Sequence, residues 1–312
     1  MSRTLLVTGG AGFIGSHVAA AFLRKGWRVA VVDNLSTGRR ANLPEGVDFH
    51  HADITDPAAL EPIFEKVRPR VVNHHAAQTS VRISCDDPAL DLQVNVLGTL
   101  NLIRLAARYG VELFVFASTG GAIYGDGVTI PTPEGALCRP SSPYGVGKLG
   151  AEHYLEWAGH SLGLPGLRLR YANVYGPRQD PHGEAGVVAI FSQTMLSGGD
   201  PHVNGDGKQT RDYVFVGDVV EANVLGTEMG LSGVYNVGTG IETDVNTLFG
   251  ELASLTGFGV PRRHGPAMPG EQSRSCLDAS RLGGECGWKA STSLPDGLAE
   301  TVAWFRAKNR EG

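Results

Sequence analysis

Residues 4–38, TLLVTGGAGFIGSHVAAAFLRKGWRVAVVDNLSTG, place a run of glycines between two apolar stretches and end beyond an aspartate. Residues 4–8 are apolar and β-branched without helical period, as a strand buried on both faces requires. Over 13–25 apolar residues recur at helical spacing (Phe13, Val18, Ala21, Phe22), and Gly26 stops the helix. Residues 28–32 form a second strand. In this strand, turn, helix, strand context Gly10, Gly12 and Gly15 match a dinucleotide fingerprint. One glycine permits the tight turn, one lets backbone N–H groups approach a pyrophosphate at the helix N-terminus, and one lets helix and strand pack closely. Asp33 closes the second strand, where a carboxylate accepts ribose hydroxyls and repels a 2′-phosphate, which favours NAD over NADP.

The rest of the chain repeats the alternation. Strand-like runs at 47–51, 70–75, 113–117 and 167–171 alternate with helical patterns at 57–67, 90–108 and 143–160. This predicts an α/β fold, a Rossmann doubly wound parallel sheet, with a smaller C-terminal α/β substrate lobe. Residues 1–172 are expected to form the NAD-binding domain, joined by a return segment over 214–240, while 173–213 and 241–312 form the lobe. Shorter helices are expected near 187–196 and 245–256, the runs 219–229 and 233–237 are expected to return to the first lobe, and a final helix is expected at 294–307. A second ligand is expected in the cleft at the carboxyl ends of the strands.

With 312 residues the chain can bury a sizeable core. Its net charge of −5 offers no basic field for nucleic acid or an anionic membrane, and neither a signal-peptide pattern nor a bilayer-length apolar run is present. A cytoplasmic protein is expected. Cys85, Cys138, Cys276 and Cys286 are scattered, as reduced thiols would be. His74 and His75 point to opposite faces of a strand and have no cluster of ligand spacing around them, so no metal is expected. Glu152 and Asp180 are read as carboxylates on solvated faces. Tyr144 and Lys148, four apart on a helix, share a face.

The segments TGGAGFIGS, DNLSTG, HADITD, HHAAQTSV, NVLGTLNL, YGVGK and GDGKQTRDYVFVGDV together resemble the extended short-chain dehydrogenase/reductases, and within them the sugar-nucleotide epimerases. The resemblance covers nearly the whole chain. It implies NAD-dependent, reversible C4 epimerisation of a UDP-hexose, possible also on the N-acetyl forms, with Tyr144 as base and Lys148 holding the nicotinamide ribose. A nearby ammonium and a cationic nicotinamide are both expected to favour the phenolate.

The hydroxyl that completes the set usually stands four residues before the tyrosine of a YG pair. Here Gly120 occupies that position, and Thr119, or else Ser118, is expected to reach the site through a backbone shift at the glycines. Dehydratases of the family carry an acidic pair after this threonine, and Gly120 and Gly121 in its place disfavour dehydration. The resemblance further assigns the cofactor to Gly9, Gly12, Phe13, Ile14 and Gly15, to Asp33, Asn34, Leu35, Ser36, Thr37 and Gly38, and to Asp53 and Ile54. It adds His75, Ala76, Ala77, Gln78, Asn95, Tyr171 and Ala172.

Substrate contacts are assigned to Asn173, Val187, Val188, His202, Val203, Asn204, Arg211, Arg274 and Ser275. Arg211 would grip the diphosphate bidentately. Met268 stands where a second arginine is usual, so Arg211 or Arg274 must compensate. Ser275 is small where a bulky tyrosine would shut out a 2-acetamido group. The resemblance also implies a homodimer through a four-helix interface of 90–108 and 143–160. A net dehydrogenase with another substrate and a non-catalytic NAD-binding protein are the alternatives, the first told apart by its need to release NADH.

Overall fold

The runs of Leu5, Leu6 and Val7, of Val29 to Val32 and of Phe114 to Phe116 are buried on both faces of one sheet, which is why they carry no polar alternation. A computed structural model of the chain describes residues 3–182, 186–267 and 272–311. Met268 lies outside the described residues.

In chain order the elements are β1 (Thr4–Thr8), α1 (Phe13–Arg24), β2 (Arg28–Asp33), β3 (Asp48–His51), α2 (Pro57–Val67) and β4 (Val71–His74). Then come α3 (Val81–Asp86), α4 (Pro88–Asp91), a π-helical turn (Leu92–Gly98), α5 (Thr99–Arg108), β5 (Leu113–Thr119), α6 (Gly120–Ile123), α7 (Pro143–Leu162) and β6 (Gly166–Tyr171). The remainder comprises β7 (Asn173–Tyr175), α8 (Val187–Leu196), β8 (His202–Asn204), β9 (Thr210–Arg211), β10 (Tyr213–Phe215), α9 (Val216–Glu228) and β11 (Gly233–Val237). It continues with β12 (Thr243–Asp244), α10 (Val245–Thr256), β13 (Arg263–Gly265), β14 (Arg274–Ser275), α11 (Ser280–Cys286) and α12 (Leu294–Glu311).

Seven parallel strands lie in the order β11-β6-β5-β4-β1-β2-β3. The order reverses at β1, and there the carboxyl ends of β1 and β4 open a crevice for a ligand. The apolar core lies on both faces of this sheet. Helix starts follow local chemistry: Asp56 accepts from the Ala58 and Ala59 N–H groups at the head of α2, and Ser142 accepts from Gly145 N at the head of α7, with Pro57 and Pro143 just inside.

The helix expected over 90–108 is present with a π-helical turn inside it: the backbone stays right-handed helical from Asp91 into Leu92 and from Gly98 into Thr99, and Asp91 and Asn95 are both buried. Glu152 departs from expectation. It is 3 % exposed and lies one turn beyond Lys148 on the side of α7 packed against β5 and β6, where Arg170 meets it at 2.6 Å. Asp180 is exposed and pairs loosely with Arg39.

Candidate active site

Thr119 ends β5 in an extended conformation, immediately before α6. Neighbouring residues on a strand face opposite sides, so Ser118 and Thr119 part there. The buried Ser118 hydroxyl donates to Glu152, whereas Thr119 lies beside the Tyr144 phenol and pulls it toward ionisation. Strand alternation thus directs Ser118 away from Tyr144, against the expectation that either hydroxyl could serve. No backbone shift is involved, because the pairing of Thr119 with Tyr171 already places it at the strand end. A side chain at Gly120 could not take over: its Cβ would come within 2.4 Å of Leu277 Cδ1.

Pro143 and the Ser142 cap fix the start of α7 and put Tyr144 in its first turn. Lys148 is 4 % exposed, its Nζ 4.5 Å from the centre of the Phe116 ring. Burial pulls its ammonium down to about 8, against the support of the Asp91 and Glu152 carboxylates. For Tyr144, burial and the Asp91 carboxylate raise the phenol above its ordinary value and outweigh the Thr119 hydrogen bond.

The dinucleotide residues gather around the β1–α1 turn. Gly9 has φ +68°, and a Cβ on it would stand 2.5 Å from Ala76 N, so the turn packs directly on the segment after β4. Gly12 caps α1 without a side chain, and a Cβ on Gly15 would meet Gly9 O at 2.3 Å. The first-turn N–H groups of Phe13, Ile14 and Gly15 thus have no side-chain cap over them, which suits a diphosphate. Asp33 accepts from Ala11 N at 2.9 Å and Leu35 N at 2.8 Å, which anchors the 34–38 loop that holds Asn34, Ser36, Thr37 and Gly38.

Further along, burial raises Asp53, but hydrogen bonds from Thr55 and Asn34 outweigh it and hold this carboxyl below its usual range. Ile54 is buried and its carbonyl accepts from Asn101. On the nicotinamide side, His75 stacks on Tyr171 at 6.2 Å between ring centres, and Asn223 donates to the Tyr171 hydroxyl at 2.8 Å. Burial, then Lys148, pulls His75 down to about 3, so it stays neutral. Its Nδ1 is buried without a hydrogen-bond partner among the described residues, next to Ala76 and Ala77. An uncapped helix end, Asp33 and this orphaned nitrogen together fit a dinucleotide. Ala172 donates its N–H to Val237 O, and Asn95 is committed internally to Gln78 and Asp91.

On the substrate side, a Cβ at Gly121 would lie 3.8 Å from Asn173 Oδ1 and 3.9 Å from Thr119 Oγ1, so these two polar groups flank one open position. Arg211 on β9 stands opposite Ser275 on β14, and Ser275 is 6 % exposed. Asp212, buried beside them, accepts from Thr239, Gly240 and Leu277 and so ties their loops together. Arg274 is held by the Glu242 carboxylate through two donors, which satisfies its charge within the protein. The Val188 side chain, 1 % exposed, and that of Val203, fully buried, are core residues. Only their backbones remain to meet a ligand, as at the side-chain-free N-terminus of α8 beside Val187. His202 and Asn204 are exposed on β8, which pairs with β13.

Asp91, Glu152 and Leu277 were not picked out as site residues from the sequence. An inward polar pair at i and i+4, Asp91 and Asn95, in an otherwise amphipathic helix was the one available signal for the first.

The sequence profile of the NAD dependent epimerase/dehydratase family matches residues 5–238. A UDP-glucose 4-epimerase of Mycolicibacterium smegmatis is 44% identical over 312 residues, covering 98% of this chain and 99% of that protein. Among solved structures, UDP-glucose 4-epimerase from Thermotoga maritima with UDP-glucose superposes with a TM-score of 0.96 at 48% identity, over 98% of this chain and 99% of that one. The enzyme of the same name from Thermus thermophilus, in complex with NAD, gives 0.92 at 46% identity, over 97% and 99%.

Proposed function

The chain belongs to the NAD dependent epimerase/dehydratase family, and from that premise we propose that it interconverts UDP-glucose and UDP-galactose by inversion at C4. It is an NAD-dependent isomerase of the UDP-glucose 4-epimerase type. The observation that carries the assignment of roles is the placement of Thr119 beside the Tyr144 phenol at the carboxyl end of β5, with two glycines after Thr119 where a dehydratase would carry an acidic pair. Tyr144 takes the O4 proton of the sugar and Thr119 orients that oxygen. Lys148 keeps a positive charge beside the phenol. When bound, NAD supplies the hydride acceptor and a cationic ring that favours the phenolate. The 4-keto sugar turns about its diphosphate, held by Arg211 and Asn173, and Tyr144 returns the proton to O4, while the hydride taken up by bound cofactor would go back to the opposite face of C4.

On this reading residues 1–172 with 214–240 hold NAD, and 173–213 with 241–312 hold the nucleotide sugar. The small Ser275 supports acceptance of the 2-acetamido sugars as well. A homodimer is supported by apolar side chains exposed on adjoining helices: Leu97 on the π turn and Val146, Tyr154 and Trp157 on α7. Cytoplasmic residence is supported by four free cysteines. No helix among the described residues is long and apolar enough to cross a membrane.

Tyr144→Phe tests the assignment. Turnover of UDP-galactose should fall roughly a hundredfold or more, as loss of a general base does, with the NAD content of the purified protein unchanged. Turnover near that of the parent would remove Tyr144 from the role of base.

A further inference from the structure

Asp91, the last residue of α4, is a buried carboxylate that the reaction as described does not use. It is 1 % exposed. Its Oδ1 accepts from Gln78 Nε2 at 3.0 Å and Asn95 Nδ2 at 2.8 Å. Its Oδ2 is pressed against α7, where a Cβ on Gly147 would stand only 2.7 Å away. Gly147 lies between Tyr144 and Lys148, so the absence of a side chain there lets the carboxylate approach the turn that joins the two.

We propose that Asp91 is a positioning residue of the Tyr144–Lys148 pair, whose charge against Gly147 sets the pH range in which phenol and ammonium work together. The inference rests on Tyr144 being the base. Other groups face the pair from each neighbouring element. Glu152 comes from α7 itself, His74 and His75 from the end of β4, and the Thr119 hydroxyl from β5. Burial keeps both histidines neutral. That leaves Asp91 and Glu152 as the anions felt by Lys148, and Asp91 as the one that opposes ionisation of Tyr144. Burial raises the carboxyl of Asp91 itself, against the pull of Gln78, Asn95 and Lys148.

The sign follows. A negative charge beside the two groups makes both hold their protons more firmly, so removing it lowers both pKa values. Asp91→Asn retains an oxygen for Gln78 and Asn95 while discarding the charge. In the NAD-containing enzyme both limbs of kcat against pH should move to lower pH by roughly one unit, with little change in Tm. Gly147→Ala alters no ionisable group but displaces Oδ2, and should move both limbs the same way by less. It carries the test if Asp91→Asn does not fold. Limbs that coincide with the parent's overturn the proposal, and a lowered Tm with unmoved limbs reduces Asp91 to a structural role. Tyr144→Phe run alongside separates the two failures. If it abolishes turnover while the limbs stay put, only the role of Asp91 is lost. If it retains turnover, the base assignment falls and the inference with it.

Discussion

At the scale of single residues, Ser275 is the position we propose to govern which sugars fit. It faces Arg211 across the β9–β14 pair, where added side-chain volume has little free space. Ser275→Tyr should lower turnover of UDP-N-acetylgalactosamine relative to UDP-galactose by roughly tenfold or more, as steric discrimination in a shaped pocket does. The ratio of initial rates on the two substrates measures it, and an unchanged ratio would detach Ser275 from specificity. Thr119 shows how residue type and residue position carry different information. The need for a hydroxyl before the tyrosine could be read from FASTGGAIYG, but spacing pointed to Gly120. Only the contact with Leu277, 157 positions further on, explains why that position is bare. The spacing of Tyr144 and Lys148 puts them on one helix face, and only the cofactor motifs ahead of them mark the pair as a site. The direction in which burial moves the phenol could not be read from that spacing, since it depends on everything packed around it.

Among the elements, the strands of the main sheet and the longer helices follow from hydrophobic period and caps, because each is decided by residues within a few positions, whereas the short strands and helices of the second lobe do not. The π turn inside 90–108 is different. Only Gly98 at its end hints at it, and it is accompanied by the tertiary bond from Asn95 to the Gln78 carbonyl and the local bond from Thr99 to the Asn95 carbonyl. Glu152 was misread for the same reason. Its partners Arg170 and Ser118 come from β6 and β5, and Arg170 reaches on to Tyr124, whose hydroxyl donates to Asn236 on β11. This network ties α7 to three strands behind the site. Removing one partner leaves a buried charge uncompensated, so Glu152→Ala should cost about 3–5 kcal/mol in urea unfolding. A loss below about 1 kcal/mol would place Glu152 at the surface, as the sequence first suggested.

For the whole molecule, the strand order and the crevice at β1 follow from an alternation the sequence displays throughout, whereas the association of copies rests on a surface. Trp157→Glu, on the exposed apolar side of α7, should turn a dimer into a monomer by light scattering while leaving NAD bound. A monomeric parent protein would contradict the proposed interface. The reaction itself returns its hydride and has no net redox change, so the protein should work on cofactor it already carries. Purified protein incubated with UDP-galactose and no added NAD, with the nucleotide sugars resolved by anion exchange, should form UDP-glucose through many turnovers. Failure to form UDP-glucose in protein shown to contain NAD, or release of NADH in step with substrate consumed, would contradict epimerisation.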